Sequence, residues 1–147
     1  MPSKAQPVAR VLDQLIAEEC RRQYRGMTFQ PKFEQSVCPN RKWRFDLAYL
    51  DTFNGRVAIE IHGKTWRDGR HTRGAGFARD REKMNAAVER GWKVLEYTTD
   101  QVERETDAVV KQIVRVLFGE PPPLPAAKKT PSRASRGPLA RGRGGTR

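Results

Sequence analysis

Residues 43–62 constrain the chain more than any other segment. Two short apolar runs, Lys42–Leu50 and Arg56–His62, flank the dipeptide Asn54-Gly55. Asn-Gly tolerates the positive φ of a tight hairpin turn, so the runs read as antiparallel neighbours. Asp46 lies in the first run and Glu60 near the end of the second. A carboxylate in a strand that should be burying apolar side chains is costly unless a metal or a cation meets it. Strand side chains alternate between faces. Alternation puts Trp43, Phe45 and Leu47 on one face of their strand and Val57, Ile59 and Ile61 on one face of theirs. If these apolar faces coincide, Asp46, Glu60 and His62 project together from the other side, with Ala48 and Ala58 leaving space beside them.

Two carboxylates and an imidazole converging in this way suit Mg²⁺, with Mn²⁺ as the alternative, because these hard cations prefer oxygen ligands and keep several waters. A cation so held polarises a phosphate and steadies a leaving oxygen, as phosphodiester hydrolysis requires. The same spacing also fits a solvated sheet face on which Asp46 and Glu60 pair with Arg44 and Arg56.

Charge narrows the partner. The chain has 147 residues and a formal net charge of +12, which favours nucleic acid or an anionic surface as partner. Membrane attachment is not expected, since no apolar run approaches the roughly 20 residues that span a bilayer and no signal-peptide core is present. Cys20 and Cys38 form no CxxC pair, so reduced thiols in a cytoplasmic protein are expected and a zinc ribbon is not. From Gly119 the composition turns to Pro, Ala, Lys, Arg and Gly, with seven basic residues against Glu120 alone. Such a segment has too few apolar groups to offset its ordering entropy. The expected organisation is one domain over 1–118 and a disordered basic tail over 119–147, read either as a non-specific nucleic-acid arm or as a solubilising terminus.

Within the domain, Val8, Val11, Leu12, Leu15, Ile16 and Cys20 recur at helical spacing, predicting a helix over about 7–25 that stops at Gly26. Strands are expected over 29–37, 42–50 and 56–62, a loop over 63–76, a helix over 77–90, a strand over 92–97, and a final helix to Phe118 capped from Thr98, Thr99 or Asp100. A strand–helix–strand unit places its strands parallel. The fold class is therefore α/β or α+β, a mixed sheet flanked by helices. Trp43, Phe77, Trp92 and Tyr97 are assigned to the core.

The stretch from Arg41 to Leu95 resembles the PD-(D/E)XK nucleases. The resemblance rests on Phe45-Asp46, the 13 residues before Glu60-Ile61-His62-Gly63, Gly69–Gly74, Asp80–Asn85 and Gly91-Trp92. It is nearest to small bacterial and phage endonucleases of the very-short-patch-repair and EDxHD types, and it covers roughly residues 10–118. It implies a restriction-endonuclease-like fold and Mg²⁺-dependent DNA cleavage in the cytoplasm of a bacterium or a phage-infected host, with Asp46 and Glu60 as metal ligands.

The sequence departs from that pattern where the usual lysine, two residues after the Glu, is His62. A histidine there can ligate metal, act as a base, or simply end the strand. Lys83 is the candidate for a catalytic lysine supplied from elsewhere, its alternative being a surface lysine. Glu19 and Glu34 compete as a further acidic residue. Lys64, Trp66, Arg67, Arg70, His71 and Arg73 directly follow the Glu60 strand and, with Arg41, Lys42 and Arg44, form a track for a DNA backbone. Trp66 stacks on a base or packs under its loop, and His71 assists at the phosphate or is structural. A non-catalytic nucleic-acid binder with a degenerate nuclease fold and an RNA-associated basic protein are the rival readings. The DNA substrate is left open among mismatched, branched and ordinary duplex, and a homodimer would be needed for most double-strand breaks.

Overall fold

A computed structural model describes residues 6–63 and 73–120 of the chain. The elements are α1 (Gln6–Gln23), β1 (Pro31–Ser36), β2 (Arg44–Thr52), β3 (Gly55–His62), α2 (Arg73–Glu89), β4 (Trp92–Thr98), α3 (Thr99–Arg104) and α4 (Thr106–Phe118). Among the described residues the strands form one sheet in the order β1-β2-β3-β4. The first three strands are antiparallel, and β4 joins β3 in parallel. This is the expected mixed sheet flanked by helices. No described helix is long and apolar enough to cross a membrane.

Amphipathic helices decide the layers. Ala9, Leu12, Ile16 and Cys20 recur every three or four residues on α1 and are buried with Val109, Ile113 and Leu117 of α4 against Leu47, Tyr49, Val57 and Ile59. The opposite sheet face is thinner. There Phe45, Ala48, Ala58 and Trp92 are covered by Ala87 of α2. Cys20 and Cys38 are free and buried, and burial pushes the Cys20 thiol up to about 11.

The hairpin forms where Asn54-Gly55 predicts it. Gly55 takes φ 83°, which only glycine adopts without steric cost. The Asn54 side chain donates to the Val116 carbonyl at 2.9 Å, tying the turn to α4.

Three expectations are corrected. The predicted final helix is two, because Glu105 leaves helical geometry at φ −119°, ψ 31°; Thr98 supplies the cap of α3 through a capping box with Gln101. α2 begins at Arg73, inside the expected loop, since glycines at 74 and 76 lower helix propensity without forbidding a helix. Phe77 is not in the core: it is 62% exposed, on the half of α2 that extends beyond the sheet. Residues 121–147 of the expected tail lie outside the described residues.

Candidate active site

The site starts where the hairpin opens. Pairing of β2 with β3 runs from the turn as far as Leu47↔Ile59. Beyond it, the Ile61 N–H donates to Asp46 Oδ2 at 2.7 Å, so a side chain takes the bond that a strand carbonyl would otherwise accept. The other edge of β2 is irregular at the same level. Phe33↔Leu47 and Gln35↔Phe45 leave Glu34 opposite Asp46, and Glu34 holds φ 51°, a left-handed conformation that non-glycine residues seldom adopt.

This irregularity switches the faces. Phe45 packs with Ala48, Ala58 and Trp92 beneath α2, and Trp43 packs against that cluster, whereas Leu47 lies in the opposite layer. The expectation that Trp43, Phe45 and Leu47 share one face is therefore corrected. Strict alternation belongs to an unbroken ladder, and here the Glu34–Asp46 pair is missing from it while the register on either side is kept.

Glu60 lies on the α2 side of β3, in register with Glu96 of β4. Lys83 reaches it from α2, its Nζ donating to Glu60 Oε1 at 2.6 Å and to the Arg44 carbonyl at 2.6 Å. The two side chains are 12% and 20% exposed, and the Phe45 ring lies 5.1 Å from the ammonium. Lys83 is thus no surface lysine. Burial raises the Glu60 proton affinity, Lys83 opposes the rise, and the Asp46 carboxylate adds to it. Glu60 Oε2 is buried and meets no hydrogen-bond donor among the described residues. An acid with one oxygen neutralised and the other desolvated is poised for a cation or a further donor.

His62 does not complete that pair. Its Nε2 lies 3.3 Å from Glu96 Oε1, and both side chains are more than a third exposed. Among the described residues, no group of three or more His, Cys, Asp or Glu side chains is gathered for a metal. The expected trio is accordingly a carboxylate pair, Asp46 and Glu60, with His62 turned to the rim. Glu96 was missed by sequence reasoning, although strand parity from Trp92 and Val94 would have placed it on the α2 side.

Glu19 is corrected as a site residue. It faces inward on α1 as expected but lies in the crevice beside Thr106 and Asp107, on the layer opposite α2. Arg22 bonds it at 2.6 and 2.9 Å, and that hydrogen bond holds its carboxyl below the usual range. Arg22 and Gln23 of the same helix, not a metal, partner this glutamate. Glu34, whose Oε1 is also buried without a partner among the described residues, is the acid that shares the level of Asp46.

The basic track is partly described. Arg41, Lys42 and Arg44 are exposed. Arg41 sits 4.9 Å from the Trp43 ring centroid and 3.8 Å from Glu82 of α2, while Arg44 donates to the Glu34 carbonyl at 3.0 Å. Lys64, Trp66, Arg67, Arg70 and His71 lie outside the described residues, and Arg73 opens α2. Comparisons with protein-family models, with curated proteins and with solved structures returned no match for the chain.

Proposed function

We propose that the protein is a metal-dependent DNA endonuclease related to the restriction-endonuclease-like enzymes. The observation that carries this reading is the convergence of Asp46, Glu60 and Lys83 from β2, β3 and α2 at the open end of the hairpin, with Glu60 Oε2 buried and unpartnered among the described residues. Two carboxylates fit Mg²⁺ or Mn²⁺, which bind through one or two such groups and take the remaining ligands from water and phosphate. Asp46 and Glu60 would hold the ion. When bound, it supplies positive charge to the phosphate under attack.

The chain's own groups do the rest. Lys83 commits two of its three N–H donors to Glu60 and Arg44, so its ammonium is fixed in place and the third remains for a phosphoryl oxygen. A preorganised donor of this kind stabilises charge that develops on the phosphate. Arg41, Lys42 and Arg44 add sequence-independent backbone contacts, and the basic residues of 121–147 add non-specific affinity.

The test is cleavage of plasmid DNA with Mg²⁺ or Mn²⁺ by the full chain and by Lys83→Met. Losing one preorganised donor is expected to slow cutting by about 10²–10³-fold. A variant that cuts like the parent would show that Lys83 has no part in the chemistry. A second reading, a non-catalytic nucleic-acid binder, is favoured by the absence of a three-ligand group among the described residues. Under that reading, Mn²⁺ uptake is no weaker in Glu60→Gln than in the parent.

A further inference from the structure

Among the described residues, almost nothing packs on the first half of α2. Every residue from Gly74 to Glu82 is exposed, and burial begins only at Lys83 and Ala87. Phe77 stands on this overhang at 62% exposure. The guanidinium carbon of Arg81, one turn along, lies 5.0 Å from the ring centroid. Another strongly exposed aromatic, Phe53, packs its ring near Phe29 and Phe118; Phe77 has an arginine instead. Arg79 and Arg81 lie on the same overhang, interleaved with Asp80 and Glu82, and Glu82 pairs with Arg41 at 3.8 Å, so the ring and its arginine stand next to the basic track of the candidate site.

We infer that the α2 overhang grips an unstacked strand of the DNA substrate, with Phe77 stacking on a base and Arg81 holding the ring's other side and the adjacent phosphate. An aromatic face beside cations is the arrangement by which proteins hold single-stranded nucleic acid. Phe77 precedes Lys83 by six residues, about 9 Å along the helix axis. The stacked base is therefore held close to the phosphate at Lys83 and Glu60. The overhang thus selects DNA whose bases are already unpaired next to the cut, such as a mismatch, a branch or a single strand. This inference rests on the nuclease reading and adds its substrate class.

Binding of the full chain to a fluorescent single-stranded oligonucleotide and to a fully paired duplex of the same length, both in EDTA, separates the two. Phe77→Ala is expected to weaken single-strand binding by about 5- to 100-fold, the range for one lost base stack. Duplex binding and thermal stability stay unchanged, and Phe77→Trp restores the single-strand affinity. Equal single-strand affinity in Phe77→Ala, or an equal loss on both DNAs, overturns the inference while leaving the nuclease reading intact. A chain that binds neither DNA overturns both.

Discussion

Asp46 has two roles that can be pulled apart. Its Oδ2 accepts the Ile61 N–H at 2.7 Å, beside an Ile61 that is only 6% exposed, and the same carboxylate is a proposed metal ligand. Asp46→Ala deletes both roles. The stranded N–H lies where water has poor access, and an unmade bond of this kind costs about 1–3 kcal/mol. For a folded unit of about this size, 1 kcal/mol moves the midpoint of thermal unfolding by about 4 °C, so the expected loss is roughly 4–12 °C. Asp46→Asn keeps an oxygen for the Ile61 N–H and loses only the charge assistance, a difference of about 1 kcal/mol. Both variants should lose cleavage. The assay is paired: thermal unfolding by circular dichroism, and plasmid cutting with Mg²⁺. If Asp46→Ala unfolds at the parent's temperature, Asp46 does not hold the hairpin's open end and the account of the fork is wrong.

Two further outcomes follow from the same neighbourhood. Burial makes the folded Glu60 carboxyl bind its proton more tightly than the unfolded one, so its contribution to stability is full below the ordinary value near 4.5 and falls as pH rises through the folded value. Glu60→Gln removes that fall, and its melting temperature should gain on the parent's between pH 4 and pH 8; a gap independent of pH would contradict the assignment. Glu34→Gly relieves a left-handed φ of 51° and removes a carboxylate oxygen buried without a partner among the described residues, and should raise stability by about 1 kcal/mol in urea unfolding; a loss would mean that the Glu34 side chain has a partner worth more than the strain.

Much of the fold was legible because it follows from local periodicity. The α1 stripe, the Asn54-Gly55 hairpin and the strand–helix–strand unit that sets β4 parallel to β3 all reflect spacing that burial enforces. Asp46 and Glu60 stood out for a related reason, as charges in strands where apolar side chains were due. The reorientation of Phe45 was hidden because it depends on a backbone break at Glu34, a residue type that does not announce positive φ. Glu19 misled because an inward-facing acid was read as needing a metal, when Arg22 and the crevice beside α4 accommodate it. Lys83 could not be placed from its spacing alone, since its meaning depends on α2 lying over Phe45. Phe77 failed for the converse reason: helical spacing gives its position on α2 but not where that helix outruns the sheet.

The parallel pairing of β3 and β4 has an evolutionary corollary. Both strands leave the sheet at the same rim, where Thr99 Oγ1 donates to the His62 carbonyl at 3.2 Å. The segment after His62 and the turn into α3 therefore originate side by side, next to Glu60 and Glu96. Insertions or exchanges at either exit can reshape what approaches the acids without disturbing the strands that hold them, so under the proposed nuclease reading new target preferences can be grafted at that rim while Asp46 and Glu60 stay fixed.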